Sequence, residues 1–318
     1  MTAREPQEMA QVAAETGAKK THRTWDRVLV SAFLAGAYIA FGAMVAITVS
    51  AGLDPEIWGT LPTLFTGMAF TLGLVLVLIA GSDLATGNMM LVPLSAMRGK
   101  ITAGDVAKNL TLVLIAGSDL ATGNMALVPL SAMRGKLGVG DVAKNLSLVL
   151  LGNLVGALVG AYFLAVQTGV IGDVGAEGGS LLTYERLAEI TEGKATGHTA
   201  WETFLRGVGC NWLVCLAVWM SLASTTVSWK ILALFFPIMA FVAMGFDHVV
   251  ANMFFIPAAI FADVPGVGWD DALLNWLLAG AGNLVGAVVF VATSYWYLFL
   301  RDSPDRPAAA AAEPAERG

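Results

Sequence analysis

The sequence has few charges and few residues of the kinds that usually carry out chemistry. Asp, Glu, Lys and Arg make up 13% of its 318 residues, it has three histidines and two cysteines, and its net charge is −6. His22, His198 and His248 are far apart, so neither a metal-ligand cluster nor a nucleophile–base spacing stands out. These absences argue against an enzyme and against a bound metal or other cofactor. The net negative charge gives no indication of a basic surface for nucleic acid.

Apolar residues are abundant instead. They make up 57% of the chain, and the mean hydropathy is +0.71, whereas soluble domains are about 45–50% apolar and about 25% charged. Most of the long apolar stretches approach the roughly 20 residues that a membrane span needs. The stretches are Val28–Val49, Leu61–Ala80, Leu146–Gln167, Val208–Leu222, Ile231–Phe261 and Leu273–Leu300. The sequence therefore predicts an all-α polytopic membrane protein.

Lys and Arg collect on one side of these stretches, which the positive-inside rule assigns to the cytoplasm. That side includes residues 19–27, 98–108 and 134–144, whereas segment Thr168–Thr203 on the other side contains five glutamates. We predict an even number of crossings, both termini in the cytoplasm, and residence in the inner (plasma) membrane of a bacterium. The predicted divisions are a cytoplasmic segment at 1–27, a transmembrane domain at 28–300 and a disordered cytoplasmic tail at 301–318.

One motif recurs three times within apolar sequence: Asp, four residues, Asn-Met, three residues, Pro. A carboxylate, an amide, small residues and a proline at membrane depth predict an interrupted helix, which lipid tolerates only where the freed backbone lines a cavity or is buried in protein. The residues of the predicted helix breaks are Asp83, Asn88, Asp119, Asn124, Asp247 and Asn252. We expect the carboxylates to cap the broken helix ends, since they satisfy free backbone N–H groups. The motif predicts a channel or transporter.

A tandem repeat contains the first two motif copies. Residues 76–110 recur as 112–146, and only Met90/Ala126 and Ile101–Ala103/Leu137–Val139 differ. A recent gene duplication, a cloning event and an assembly error are each compatible with such near-identity. Each copy runs from mid-span to a basic loop and back, so the extra segment is a half-hairpin that leaves the topology of later loops unchanged.

An older repeat relates the two halves of the chain. Each half has a span, a broken span and then the string Gly-Asn-Leu-Val-Gly-Ala, at Gly152–Ala157 and at Gly282–Ala287. Three spans per half place the halves in opposite orientations, which predicts a six-span inverted repeat (3+3) with broken second and fifth helices around a midplane site. The glycine spacing in both strings permits close helix packing.

These features resemble the formate/nitrite transporter family over residues 25–301. The most specific segments are Gly245–Met253 and Asn211–Met220, together with Leu84–Asn88 at the first break and Gly282-Asn283. The resemblance implies a homopentamer of aquaporin-like protomers. Each protomer would have its own pore for small monovalent anions such as formate, nitrite or hydrosulfide, usually coupled to proton movement.

Two departures from the family pattern stand out. Two nearly identical segments compete for the place of one broken second helix. In addition, Ala85 and Ala121 stand where the family usually has phenylalanine. A smaller side chain there would widen the constriction on the cytoplasmic side.

His248 is the leading candidate site residue. It lies mid-span with no Lys or Arg in its stretch, and an ionisable group in that setting is a functional hypothesis by default. Desolvation disfavours the charged form, so we expect a neutral resting imidazole. An arriving anion would stabilise the protonated form and share its proton. The alternatives are a histidine held by packing, and one that only polarises an anion that is protonated from the vestibule.

The resemblance implies further pathway residues. Asn211, Asn283 and a threonine, Thr86 or Thr122, are expected to hydrogen-bond the histidine or the substrate, although Asn283 could equally hold helices together, the role expected of Asn153. Lys194 is expected to attract anions into an outer vestibule, or else to be a solvated loop lysine. The expected apolar constrictions are Phe70, Leu74, Leu84, Leu120, Val214 and Phe241.

The function predicted from these features is a proton-linked channel or transporter for formate, nitrite or a similar weak-acid anion. The alternatives are a hydrosulfide or other small-anion channel, an aquaporin-like pore for neutral solutes, and a membrane enzyme. Paired Asn-Pro-Ala boxes, expected of an aquaporin, are missing from the sequence. A last alternative is an inactive variant in which the duplicated segment blocks the pore or its assembly.

Overall fold

The computed structural model describes residues 3–79, 119–172, 179–224 and 226–302, and its regular elements in these ranges are all helical. The all-α prediction is confirmed. The helices are α1 (Pro6–Thr21), α2 (Trp25–Ser50), α3 (Pro55–Trp58), α4 (Leu61–Ile79), α5 (Ala121–Met133), α6 (Val139–Val159), α7 (Gly179–Ala195), α8 (Ala200–Ser221), α9 (Val227–Ala243), α10 (Val249–Phe261) and α11 (Trp269–Ala287). Helix α6 continues in π-helical turns to Val166, and α11 continues similarly to Leu300.

Five helical segments within the described ranges are long and apolar enough to cross a membrane. They are Trp25–Ser50, Leu61–Ile79, Val139–Val166, Ala200–Ser221 and Trp269–Leu300. The apolar stretch Ile231–Phe261 is interrupted, as its motif predicts: α9 ends at Ala243 and α10 begins at Val249. Gly245 in the interruption has a φ of 68°, a left-handed conformation that glycine adopts without steric cost.

The two Gly-Asn-Leu-Val-Gly-Ala strings make matching helix pairs. Helix α6 packs on α2, and α11 packs on α8. A Cβ added at Gly156 would collide with the main-chain carbonyl of Phe33, and one added at Gly286 would collide with that of Val208. The predicted close packing at these glycines is therefore confirmed. Matching pairs in both halves are what the inverted repeat predicts.

Helix α1 is packed against the rest of the chain, although its sequence is polar. Met9, Ala10 and Ala13 are buried, and Ser131 in α5 donates a hydrogen bond to the Ala14 carbonyl. Because α1 is short of apolar residues, small alanine side chains make the close contact. The helix covers one end of the bundle.

The described ends of the chain share one face of the molecule, here called the terminal face. Helix α1 contacts the segment Trp296–Leu300, and Arg134 donates to the Leu300 carbonyl at 2.7 Å.

Helix α7 lies at the opposite end of α2, where Arg186 Nε donates to Ser50 Oγ at 2.9 Å. Near the start of α2, Ser31 Oγ accepts a hydrogen bond from the backbone N–H of Asp119. Since an α-helix rises 1.5 Å per residue, these two serines lie about 28 Å apart. The α7 side is here called the far face.

The second copy of the tandem repeat supplies the helix that follows the first break. Helix α4 ends at Ile79, and the described chain resumes at Asp119, two residues before α5 begins. The residues predicted in the first copy lie outside the described residues; they are Asp83, Leu84, Thr86 and Asn88. The basic loop of that copy, residues 98–108, and most of the C-terminal tail also lie outside them.

Candidate functional site

Helices α5 and α10 meet with their N-terminal ends at the centre of the bundle. Thr122 in the first turn of α5 places its Oγ1 atom 2.8 Å from Nε2 of His248, the residue directly before α10. Both side chains are buried. The N-terminal end of a helix carries a partial positive charge. Two such ends, each from a helix of 13 residues, converge on this pair, and the arrangement favours an anion.

The hydrogen bonds of His248 define its neutral tautomer. Its Nδ1 atom accepts from the backbone N–H of Ala251 at 3.0 Å and so caps α10. A nitrogen that accepts has no proton, so the neutral ring carries its hydrogen on Nε2 and donates it to Thr122 Oγ1. Among the described residues, the Thr122 hydroxyl hydrogen has no acceptor. It remains available to a molecule beside the pair.

Asn283 binds backbone groups at the break before α10 and in α8. Its Oδ1 accepts from Val249 N at 2.9 Å, and its Nδ2 donates to the carbonyls of Gly207 and Asp247, both at 2.8 Å. An amide has only two hydrogens, so Asn283 has none left for an anion. These bonds favour the alternative expectation for Asn283, a residue that holds helices together.

Asn153 makes the same three bonds at the other break. Its Oδ1 accepts from Ala121 N at 2.8 Å, and its Nδ2 donates to the carbonyls of Ala32 at 2.7 Å and Asp119 at 3.0 Å. The first residue of α5 is thus held as Val249 is held in α10. The two asparagines of the repeated string have equivalent positions and equivalent partners.

Asn211 lies close to the central pair but points its amide at main-chain carbonyls. Its Nδ2 donates to the carbonyl of Asn283 at 2.8 Å and lies 3.2 Å from that of Thr122. The side chain is fully buried and does not line the cavity described below. In this structure Asn211 therefore positions α5 and α11, and an anion could reach its hydrogens only by displacing these carbonyls.

Asp119 is the centre of an ion-pair cluster on the terminal face. Lys20 Nζ lies 2.8 Å from Oδ1, and Arg23 Nη1 lies 3.1 Å from Oδ2. Asn124 donates to Oδ1 at 3.2 Å and to Asn145 Oδ1 at 3.1 Å. The carboxylate is fully buried, so both cations are needed to offset its desolvation.

Asp247 occupies the equivalent place toward the far face. Its Oδ1 accepts from Lys194 Nζ at 3.2 Å and from Asn252 Nδ2 at 2.8 Å, and its Oδ2 lies 3.4 Å from Arg206 Nε. Asn252 also donates to Asn275. The expectation that the two described aspartates cap the helices is wrong. His248 caps α10, and Leu120 precedes α5 without a side-chain cap. The carboxylates bind cations and asparagines because those partners surround them from other helices.

A cavity of about 210 Å³ opens toward the far face and reaches His248. Phe70, Phe241 and Phe255 line it together with the histidine. The rings of Phe70 and Phe241 are 6.0 Å apart, and that of Phe241 stacks on the imidazole at 5.9 Å. Polar and charged side chains line its outer part. The cavity therefore leads from the far face to His248 between aromatic side chains.

The predicted constriction residues divide into two groups. Phe70 and Phe241 line the cavity, whereas Leu74, Leu120 and Val214 are buried in the surrounding core without lining it. Lys194 is not a solvated loop residue. It lies in the last turn of α7, its side chain is 14% exposed, and it lines the cavity.

Several charged and polar partners of Asp119, Asp247 and their asparagines were missed from the sequence alone. Lys20 and Arg23 were informative only as positive charges before the first span, and Arg206 was a lone cation just outside an apolar stretch. Asn145 and Asn275 occupy equivalent positions, eight residues before the Asn of each repeated string. That spacing in both halves was a signal that could have found them.

Comparisons with known proteins agree on one family. The family model for formate/nitrite transporters matches residues 7–115 and again residues 109–297, so its junction falls between the two copies of the tandem repeat. A probable formate transporter of Methanothermobacter thermautotrophicus is 38% identical over 305 residues, which cover 93% of this chain and 97% of that protein.

Solved structures with the same fold are also similar to this chain. One, described as an FNT family ion channel, has a TM-score of 0.71 and 27% identity, and the match covers 91% of this chain and 98% of that one. Another, a pentameric formate channel with formate bound, has a TM-score of 0.64 and 25% identity, with coverage of 87% and 98%. The chain is a multi-pass membrane protein that belongs to the formate/nitrite transporter family.

Proposed function

We propose that this protein passes formate or nitrite across the membrane together with a proton, and that His248 is the group that links the two. The observation that carries this proposal is the 2.8 Å contact between His248 and Thr122, where the positive ends of two helices meet. The formate-named relative and the formate-bound neighbour support the choice of substrate. Phe241 beside the histidine, with Phe70 against it, favours passage of a neutral acid over a hydrated anion.

The proton step follows from the tautomer. Nδ1 is the only ring nitrogen with a lone pair, so a proton from the aqueous cavity adds there, and the Ala251 N–H loses its acceptor. The imidazolium then gives its Nε2 proton to an oxygen of the anion, directly or through the Thr122 hydroxyl. The products are a neutral imidazole and a neutral weak acid. The broken cap is restored when Nε2 takes up a proton from water and Nδ1 releases its own, which returns the ring to its Nε2–H form.

The remaining roles are proposed on the same basis. Lys194 draws anions into the vestibule, and Leu74, Leu120 and Val214 close the path beyond the histidine. The terminal face is cytoplasmic in a bacterial inner membrane, with 1–27 and 301–318 as cytoplasmic segments around a transmembrane domain at 28–300. The pentameric neighbour supports a homopentamer.

Uptake into proteoliposomes tests the proposal. We expect the full chain to take up formate and nitrite faster under an inward proton gradient. His248→Ala should abolish uptake or remove its dependence on the gradient. His22→Ala is the matched control, because His22 is exposed on α1's end of the molecule, and it should behave as the wild type. If no anion enters with either the full chain or the shortened one below, the proposed function is wrong.

The tandem repeat is tested with a deletion of residues 76–111. Because 112–119 repeat 76–83 residue for residue, the deletion joins Val75 to Leu112 and leaves one intact copy of the tandem repeat. We expect the shortened protein to transport at least as fast as the full chain, since the second copy already supplies α5. Uptake that appears only after the deletion would identify the extra segment as a block.

A further inference from the structure

The far-face cavity has more positive than negative charge in its walls. Arg186, Lys194, Arg206 and Glu189 line it, and Asp247 lies behind the lysine and Arg206. Cations exceed carboxylates by one among these described side chains. Arg186 has its guanidinium committed to Ser50, Thr66 and Glu189. The excess charge is therefore accessible at Lys194 and Arg206.

Arg206 is held by contacts with the protein, but some of its N–H groups have no acceptor among the described residues. Its Nη2 donates to the Gly245 carbonyl at 2.7 Å, and its own carbonyl lies 3.4 Å from Asp247 N. Its Nε is 3.4 Å from Asp247 Oδ2, and that buried Nε has no hydrogen-bond partner in the described part of the chain. Nη1 has no acceptor among the same residues, and Nη2 keeps one of its two hydrogens. These two groups, and not the buried Nε, are the donors left for an anion. The side chain is 29% exposed and faces the cavity.

The arginine beside Asp119 on the terminal face is bound differently. Arg23 points Nη1 directly at Asp119 Oδ2, at 3.1 Å, and a second cation, Lys20, completes that pair at 2.8 Å. At Asp247 the corresponding distances are 3.4 Å and 3.2 Å. The contact of Asp247 with its arginine is thus the longer of the two, and only that of Asp119 is a hydrogen bond.

We propose that Arg206, with Lys194 beside it, forms a binding site in the far-face vestibule for a planar monovalent anion with two oxygens, such as a carboxylate or nitrite. A guanidinium presents two parallel N–H groups that match two oxygens on one atom, whereas an ammonium acts as a point charge. The site therefore distinguishes formate and nitrite from chloride and hydrosulfide before the anion reaches His248. This inference rests on the proposed function and narrows its substrate class.

Saturation-transfer NMR on the proton of formate, with detergent-solubilised full-length protein, tests the site. Chloride and nitrite serve as competitors. In the wild type, nitrite should displace formate at lower concentration than chloride does. Arg206→Lys keeps the charge but removes the fork, so formate should bind about tenfold more weakly while chloride binding is unchanged. Arg206→Gln should weaken both anions.

The matched control is Arg23→Lys, which makes the same change beside the equivalent aspartate on the terminal face. It should leave formate binding unchanged, and each variant should elute as the same oligomer as the wild type. Unchanged formate affinity in Arg206→Lys, or an equal loss for formate and chloride, would overturn the site. So would an equal loss in Arg23→Lys. Transport is measured separately: binding without uptake would refute the proposed function, and uptake with unaltered binding in Arg206→Lys would refute only this site.

Discussion

Replacing Asn283 by leucine removes a fully buried side-chain amide that makes three hydrogen bonds. The side chain keeps its approximate size, so the change is mainly one of polarity. Gly207 lies within α8, where its carbonyl also accepts from the helix. The N–H of Val249 and the carbonyl of Asp247 lose their partner. They lie at the break before α10, where the helix ladder offers no substitute.

The expected cost follows from those two groups. A buried donor or acceptor left without a partner costs about 1–3 kcal/mol, so two of them cost about 2–6 kcal/mol. Side-chain hydrogen bonds between membrane helices average only about 0.6 kcal/mol each, which for three bonds gives about 2 kcal/mol as a lower bound. We therefore expect Asn283→Leu to lower the free energy of unfolding by about 2–6 kcal/mol.

The assay is denaturant unfolding of the purified protein in detergent, together with the midpoint of thermal unfolding. Leu284→Ala is the control, because Leu284 is the next residue of α11 and is exposed on the outer surface. Asn153→Leu should match Asn283→Leu, since its three bonds are equivalent. A loss below about 1 kcal/mol for Asn283→Leu would refute the claim that the asparagine stabilises the break.

Three further predictions concern the central pair and the helix packing. Thr122→Val should reduce uptake strongly because it removes the hydroxyl between His248 and the anion, whereas Thr122→Ser should retain most of the uptake; equal rates would contradict the contact's role. The ¹⁵N spectrum of histidine-labelled protein at neutral pH should show His248 with its hydrogen on Nε2, and an Nδ1–H signal would contradict the cap at Ala251. Gly286→Ala should lower the thermal midpoint by forcing α11 from a carbonyl of α8, whereas Gly280→Ala, which meets only an ordinary contact, should not; equal shifts would contradict the packing argument.

The helix breaks and the helix packing could be predicted because their signals are local. The proline-containing motif and the long apolar run around it indicate that Ile231–Phe261 is two helices, since one straight span of that length does not fit the bilayer. The paired glycines likewise indicate close approach of helices, because only a residue without a Cβ permits it. Length, polarity and side-chain size suffice for both conclusions.

The roles of the motif's polar residues could not be predicted in the same way. The sequence places Asp247 beside His248 and suggests that the carboxylate caps the helix, yet the imidazole does so. Asp247 instead binds Lys194 from α7 and approaches Arg206 from α8. A carboxylate binds the nearest cations, and which cations are nearest depends on how distant helices pack.

The sequence by itself determined that this chain spans the membrane several times, that its helices are interrupted at repeated motifs, and which histidine lies at the centre. Composition, periodicity and repeats carry that information because each depends on neighbours along the chain. The tertiary structure alone decided that Thr122 of the second copy is the partner of His248, that Asn211 and Asn283 are committed to backbone carbonyls, and that Arg206 keeps free donors in the vestibule. Hydrogen bonds act over about 3 Å, and those distances are set only when separate helices meet.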